Sequence, residues 1–248
     1  MAKLRTTFVS TLLTGFASVA LAQQTDIPGK APKAPDIDHV YTEAPDDHTI
    51  GNADAAQTLI IYASVTCPHC RDWFTDHWDK VKAELIDTDT TRVVFRELPT
   101  APAQMSMTGF LLAECAPRTD YFDIITYQMK NQDKIFKAAQ TGQARAEYQT
   151  IAEMAGMKDE EAITACLRNP DMMAHIQASS LRLQASGASG VPAFFVNGER
   201  YDGETDAKTM IGVLREMDTK GMSSIPKSAQ KRTKPKDMSD DHSGHDHD

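Results

Sequence analysis

The residues best suited to chemistry in this 248-residue chain are two cysteines separated by two residues, in the motif Cys67-Pro68-His69-Cys70. Cys67 is predicted to lie at a helix N-terminus, where its sulfur faces unpaired backbone N–H groups and the positive end of the helix dipole. Both favour the thiolate over the thiol. Pro68 suits the first helical turn because it lacks an N–H, and His69 can add positive charge near the sulfur. We therefore predict that Cys67 is the attacking cysteine and Cys70 the resolving one.

A C-x-x-C pair could instead be half of a structural zinc site or an inert disulfide. A zinc site would need two further ligands, and the remaining cysteines, Cys115 and Cys166, do not form a second closely spaced pair. The placement of the motif between a predicted strand and a predicted helix favours redox catalysis over both alternatives. No cofactor is expected beyond the redox-active disulfide between Cys67 and Cys70.

The elements around the motif are predicted to form a strand–helix–strand unit. Residues 57–64 (QTLIIYAS) are mostly apolar over the length of a strand, and residues 91–98 (TRVVFREL) are predicted to form a second strand. Apolar side chains recur at helical spacing after the motif, at Phe74, Trp78, Val81 and Leu85. The motif is therefore predicted to open a helix that connects two strands.

A helical block is predicted in the middle of the chain, from about residue 102 to residue 187. Ala, Met, Leu, Gln and charged residues predominate there. Breaks near four Pro or Gly residues predict four or five short helices. These residues are Pro117, Gly142, Gly156 and Pro170.

A β-hairpin is predicted after this block, because Asn197-Gly198 favours a tight turn between strands at Ala193–Val196 and Glu199–Tyr201. Residues 206–217 then carry the apolar stripe of a final helix. The resulting order is strand, helix, strand, helical block, hairpin and helix. It predicts a small α/β domain over residues 49–220 with an inserted helical block.

Residues 1–22 are predicted to be a secretory signal peptide. Lys3 and Arg5 precede an uncharged, largely apolar run that ends in Ala20-Leu21-Ala22, a small-x-small cleavage pattern. An uncleaved membrane anchor is the alternative, but the apolar core of the run is short and contains Ser and Thr, whereas a spanning helix needs about 20 apolar residues. We therefore expect a soluble, exported protein.

The segments beside the domain are polar. Residues 23–48 are rich in proline and are predicted to form an extended leader arm, and residues 221–248 a disordered tail, first basic and then rich in His and Asp. Loss of the signal peptide removes two basic residues and takes the formal net charge from −9 to −11. An acidic protein gains no counterion release from nucleic acid or an anionic membrane, so neither is an expected partner.

The sequence resembles the DsbA-like oxidoreductases of bacterial periplasms over about residues 46–218. The resemblance is carried by IIYASVTCPHCRDWF, preceded by TIGNADAAQT, followed by VVFRELP and completed by GVPAFFVNG. It implies an α/β thioredoxin fold with an inserted all-helical subdomain and a periplasmic location. It also implies that Pro192 is cis and lies across from Cys67, so that the backbone of Val191 is exposed to pair with a substrate strand.

Because stabilising the Cys67 thiolate stabilises the reduced protein, we predict a dithiol oxidase that donates the Cys67–Cys70 disulfide to unfolded or partly folded exported proteins with free thiols. A DsbB-like, quinone-coupled membrane protein would restore the disulfide, and the chain is expected to be a monomer. Two alternatives remain open. The protein could be a disulfide reductase or isomerase, or it could be a periplasmic metal-binding protein.

The sequence departs from the family in one position. Many members carry a buried acidic residue six positions before the first cysteine, where it is thought to assist proton transfer, and this chain has Ile61 there. Either another group, such as Glu97 or water, takes the role, or the proton-transfer step is slower.

Cys115 and Cys166 both fall within the helical block. Each could pack in the core as a small hydrophobic residue. In an exported protein, however, a free thiol beside a strong oxidant is not expected to stay reduced. We therefore predict a structural disulfide between Cys115 and Cys166.

No metal site is predicted within the domain, where His77 and His175 are expected to be ordinary helix residues. The C-terminal tail carries His242, His245 and His247 among aspartates, and such a tract can bind Zn²⁺, Cu²⁺ or Ni²⁺ weakly. The alternative is a solvated acidic tail without a bound metal.

Overall fold

The computed structural model of the protein describes residues 39–230. The predicted signal peptide, most of the predicted arm, and the tail histidines His242, His245 and His247 lie outside the described residues. Within residues 39–230, no helix has both the length and the apolar character needed to cross a membrane.

A five-stranded sheet with the strand order β1-β3-β2-β4-β5 forms the centre of the fold. The strands are β1 (His48–Ile50), β2 (Gln57–Ala63), β3 (Thr91–Glu97), β4 (Ala193–Val196) and β5 (Glu199–Tyr201). β2 and β3 are parallel, whereas every other pair is antiparallel. The four predicted strands are confirmed. β1 was not predicted, and it begins at His48, one residue before the predicted start of the domain at residue 49.

Helix α1 connects β2 to β3 and begins at the cysteine motif. It consists of four contiguous segments, two α-helical and two π-helical: Pro68–Trp73, Phe74–Trp78, Asp79–Val81 and Lys82–Ile86. The apolar stripe predicted for this helix is buried throughout, at Phe74, Trp78, Val81 and Leu85. This stripe fixes the motif against the sheet.

The helical insertion contains six helices, so the prediction of four or five is wrong. They are α2 (Ala103–Glu114), α3 (Tyr121–Lys130), α4 (Gln132–Gln140), α5 (Ala144–Met154), α6 (Glu160–Leu167) and α7 (Pro170–Ala185). The additional break is at Asn131, which leaves the helical region with φ −106° and ψ 15°. Its side-chain amide donates to the carbonyl of Tyr127 at 2.9 Å. No Gly or Pro marks this break in the sequence.

The chain returns to the sheet through the predicted hairpin and ends in the predicted final helix. Asn197 and Gly198 both have positive φ, 48° and 86°, as a tight hairpin turn requires. Helix α8 (Ala207–Thr219) follows, and the carboxylate of Asp206 caps it by accepting from the backbone N–H of Thr209 at 3.1 Å.

The packed region extends beyond both predicted boundaries. Within the predicted arm, Ala44 and Asp47 are only 2% and 1% exposed. Within the predicted tail, Ile225 is 6% exposed and a 3₁₀ turn, Lys227–Gln230, follows it. Asp47 is held by an ion pair and Ile225 by contact with the apolar core, and neither partner is close in the sequence.

Both faces of the sheet are covered, which explains why β2 is apolar at nearly every position. Leu59, Ile61 and Ala63 join the larger core beneath α1, α8 and the insertion. Ile60 and Tyr62 point to the opposite face, into a smaller cluster that includes residues of β4 and α7. The sheet therefore forms a rigid base from which the motif projects.

Candidate active site

Cys67 caps the N-terminus of α1. Its backbone is extended, with φ −86° and ψ 122°, and Pro68 takes the first helical position. The carbonyl of Cys67 accepts from the N–H of Arg71 at 3.0 Å, which closes the first helical turn. Pro68 and the unpaired N–H groups of the first helical turn thus lie where the sequence predicts them, and the sulfur of Cys67 lies at the N-terminal end of α1.

The two cysteines of the motif are both free and differ in exposure, since Cys67 is half-buried and Cys70 fully buried. The pKa of Cys67 is lowered from 9.0 to about 6, mainly because the Cys70 thiol donates a hydrogen bond to it. Burial opposes this shift, while the backbone N–H groups of Cys70 and His69 and the nearby His69 side chain assist it. Burial raises the pKa of Cys70 far above its ordinary value. Cys67 is therefore the thiolate at neutral pH.

The hydroxyl groups of Ser64, Thr66 and Thr100 form a network next to the motif that was not predicted from the sequence. The backbone N–H of Ser64 lies 3.4 Å from the Cys70 sulfur. The hydroxyl of Ser64 is linked to Thr66 at 3.2 Å and to Thr100 at 2.8 Å, and Thr66 lies 2.9 Å from Thr100. The network fixes the loop before the motif to the loop after β3. The only sequence signal was the position of Ser64 and Thr66 directly before the motif.

The segment at Val191 and Pro192 lies directly beside Cys67. The peptide bond between the two residues is cis. The carbonyl oxygen of Val191 is 3.5 Å from the Cys67 sulfur. Both residues line a groove of about 530 Å³, together with His69 and Trp73. The structure thus brings Cys67, His69, Val191 and Pro192 together at one open surface.

A second groove, of about 590 Å³, borders Pro68 and is lined by residues of α4. One of these residues, Gln132, is 2% exposed and connects the insertion to the motif. Its amide donates to the carbonyl of Val65 at 2.9 Å and to that of Cys67 at 3.1 Å. Gln132 is therefore a positioning residue, and nothing in its local sequence indicates this role.

Replacing Gln132 by alanine is expected to destabilise the protein by about 1–3 kcal/mol, because the buried carbonyl of Val65 loses its amide donor and the carbonyl of Cys67 loses one of its two donors. Urea denaturation monitored by circular dichroism measures the loss. Gln140→Ala in the same helix is the control, since Gln140 is exposed, and is expected to change stability by less than about 0.5 kcal/mol. Equal losses in the two variants would contradict the positioning role.

Ile61, at the position where the resemblance implies a buried acid, is completely buried among apolar residues. Glu97, suggested from the sequence as a substitute, is also completely buried, and burial together with nearby Glu114 raises its pKa to about 7. Its carboxylate accepts a hydrogen bond from Tyr121. Among the hydrogen-bond and charge partners of Glu97 in the described part of the chain, neither motif cysteine occurs. Its contacts give no support to a role in proton transfer at Cys70.

Cys115 and Cys166 form a disulfide in the structure, with sulfur atoms 2.06 Å apart and a sequence separation of 51 residues. The bond joins the end of α2 to the end of α6, which lie within the insertion. It is separate from the motif pair, whose two cysteines are free. The disulfide therefore crosslinks two helices of the insertion.

Comparison with known proteins relates this chain to a family and to a fold. A family model described as thioredoxin matches residues 43–216. The solved structure of alpha-DsbA1 from Wolbachia pipientis matches with a TM-score of 0.63 at 23% identity, covering 72% of this chain and 94% of that chain. At this identity, the structural likeness shows the fold alone.

Two sequence relatives are longer than the part they share with this chain. A candidate protein-disulfide oxidoreductase of Rickettsia conorii is 30% identical over 157 residues, which cover 61% of this chain and 53% of that protein. The Na⁺/H⁺ antiporter NhaA of Herminiimonas arsenicoxydans is 29% identical over 173 residues, 68% of this chain and 25% of the antiporter. This chain thus spans about half of the first protein and a quarter of the second.

Proposed function

We propose that this chain, which belongs to the thioredoxin family, is an exported thiol–disulfide oxidoreductase of the DsbA-like type that acts as a dithiol oxidase. The predicted fold class, a thioredoxin fold with an inserted all-helical subdomain, is confirmed. One observation carries the proposal. Cys67 is half-buried with a pKa of about 6, and it lies beside a fully buried Cys70 whose pKa is raised.

The reaction begins with the oxidised protein, in which Cys67 and Cys70 form a disulfide. A substrate thiolate attacks the more exposed sulfur, that of Cys67, the bond to Cys70 breaks, and Cys70 leaves and takes up a proton. A second substrate thiolate then attacks the substrate sulfur of this mixed disulfide. Cys67 leaves as a thiolate, and two electrons have passed from the substrate dithiol to the cysteine pair.

The difference between the two cysteines favours this direction. A thiol of lower pKa is the better leaving group, so the second step releases Cys67 readily. The thiolate also stabilises the reduced product, which makes the oxidised protein a disulfide donor. The groove beside Val191 and Pro192 offers an open surface on which an extended substrate segment could pair with the backbone of Val191.

The proposal includes export to the periplasm and a partner that restores the disulfide. The predicted signal peptide supports export, and so does the disulfide between Cys115 and Cys166, because structural disulfides persist mainly in oxidising compartments. By its resemblance to DsbA-like proteins, we assign the chain a DsbB-like, quinone-coupled membrane protein as re-oxidant. The proposed substrates are exported proteins with free thiols, and the proposed state is a monomer.

The direction of the reaction is tested by the reduction potential and by disulfide transfer. We expect the Cys67–Cys70 couple, equilibrated with glutathione, to be more oxidising than that of thioredoxin, which is about −270 mV. We also expect the oxidised protein to convert a reduced, unfolded dithiol protein stoichiometrically to its disulfide form, as measured by mass spectrometry after alkylation.

The same assays separate the alternatives. The oxidase proposal is wrong if the couple is as reducing as thioredoxin and the thiolate pKa of Cys67 is near 8. Rescue of a protein with scrambled disulfides by the reduced form, without net oxidation of a dithiol substrate, would instead assign an isomerase.

A further inference from the structure

Four titratable side chains outside the candidate active site meet between the sheet and the insertion. We call them the histidine–glutamate cluster: His48 on β1, Glu97 at the end of β3, Glu114 at the end of α2 and His175 on α7. One ligand atom from each residue, a ring nitrogen or a carboxylate oxygen, lies within 4.8 Å of all the others. The chain brings these groups together from positions up to 127 residues apart.

The hydrogen bonds of the cluster leave several buried polar atoms unmatched. Glu114 Oε1 lies 2.7 Å from His175 Nδ1 and 3.1 Å from His48 Nε2, and Glu97 Oε1 accepts from the hydroxyl of Tyr121. Within residues 39–230, no hydrogen-bond partner is present for Glu97 Oε2, His175 Nε2 or His48 Nδ1. Buried polar atoms without partners are rare and call for a physical explanation.

We propose that the histidine–glutamate cluster binds one Zn²⁺ ion through two imidazole nitrogens and two carboxylate oxygens. Zinc takes such a mixed set of four ligands, with bonds of about 2.0–2.2 Å. Two carboxylates and two neutral imidazoles balance the charge of a divalent cation. An ion at the centre would also accept the lone pairs that have no hydrogen-bond partner in the described part of the chain.

The groups around the cluster support a metal site. The imidazole of His48 stacks on the ring of Tyr121, with centroids 3.5 Å apart and planes 3° apart, and the hydroxyl of Tyr121 holds Glu97. Outer contacts of this kind orient metal ligands. Asp46, whose side chain is 53% exposed, lies 3.9 Å from His175 Nε2 and offers a polar entry path from solvent.

The proposed site is structural and does not depend on the proposed redox function. All four positions of a tetrahedral ion are taken by side chains, which is typical of structural zinc. The ligands come from two strands of the sheet and two helices of the insertion, so the ion would fasten the insertion to the sheet. Neither cysteine of the motif belongs to the cluster.

The test is a titration of chelator-treated, oxidised full-length protein with Zn²⁺ alone, followed by calorimetry. The oxidised form is used so that Cys67 and Cys70 cannot bind the metal. The substitutions His242→Ala, His245→Ala and His247→Ala remove the tail histidines in all samples. We expect one Zn²⁺ per chain, with affinity reduced at least about 100-fold by Glu114→Gln.

His77→Ala is the matched control, because His77 lies on α1 and outside the cluster, and zinc affinity should not change. The absence of stoichiometric binding, or binding unaffected by Glu114→Gln, would overturn the proposal. If Glu114→Gln does not fold, X-ray absorption of the zinc-loaded unsubstituted cluster decides. A coordination shell of two imidazole nitrogens and two oxygens, each about 2.0–2.2 Å from the zinc, supports the site. Any other coordination shell refutes it.

Discussion

Replacing Cys67 by serine is expected to abolish disulfide exchange, whereas Cys70→Ser should keep the first attack and stop at the next step. In reduced Cys70→Ser protein, the Cys67 thiolate attacks a substrate disulfide, and no neighbouring thiol can resolve the mixed disulfide that results. The covalent adduct is measured by mass spectrometry under non-reducing conditions. Adduct formation by Cys67→Ser would contradict the assignment of Cys67 as nucleophile.

The reactivity of the reduced protein is expected to rise with a midpoint near pH 6, which alkylation rates or thiolate absorbance would show. Only Cys67 contributes, because the pKa of Cys70 is raised and the other two cysteines form a disulfide. The largest cause of the lowered pKa is the hydrogen bond from the Cys70 thiol. Cys70→Ala removes this donor and is expected to move the midpoint upward, while Cys70→Ser retains a hydroxyl donor and should move it less.

The same pKa determines how pH affects the reduced state. The pKa of Cys67 in the folded protein lies below its ordinary value of 9.0, so the ionised Cys67 stabilises the folded, reduced protein. This stabilisation is complete above pH 9 and is lost as pH falls through about 6. At pH 7 this stabilisation is at most about 1.4 kcal/mol, which raises the reduction potential of the Cys67–Cys70 couple by at most about 30 mV. Solvent screening of the half-exposed sulfur makes both values smaller. The reduction potential of the couple should therefore fall with rising pH, by about 60 mV per pH unit below pH 6 and by about 30 mV per pH unit above pH 6.

Elements with a strong local signal were predictable from the sequence. The lengths of β2 and β3 follow from short apolar runs between polar residues, and Asn197-Gly198 defines the hairpin through turn chemistry alone. The position of Cys67 at a helix end follows from Pro68 and from the apolar stripe behind it. Each of these features depends on fewer than about 20 neighbouring residues.

Features made by distant residues were not predictable. β1 has only three residues and exists because it pairs with β3. His175 was expected to be an ordinary helix residue, yet Glu114, 61 positions away, contacts it at 2.7 Å. Arg96, a charged residue within a predicted strand, is completely buried and pairs with Asp47, 49 positions away. Long-range pairing decides each of these cases, and composition and periodicity contain no information about it.

Asp47→Asn is expected to destabilise the protein by about 3–5 kcal/mol, since it leaves a buried cation without its counterion. The side chains of Asp47 and Arg96 are 0% and 1% exposed, and their charged atoms lie 2.8 and 3.0 Å apart at the two contacts. Arg182, also buried, lies 3.6 Å from the same carboxylate. Urea denaturation measures the loss. Asp87→Asn, which breaks an exposed pair with Lys82, is the control and should cost less than about 1 kcal/mol.

A double-mutant cycle separates the charge pair from simple packing. Arg96→Met alone leaves the buried carboxylate of Asp47 without its closest cation and also removes donors to the carbonyls of Val40 and Thr42. Combining it with Asp47→Asn removes both charges of the pair, so the double variant should lose less stability than the sum of the single variants, by about 0.5–3 kcal/mol. Strict additivity would mean that the two residues stabilise the fold independently. Burial of the segment around Asp47, within the predicted arm, would then depend on its packing rather than on this ion pair.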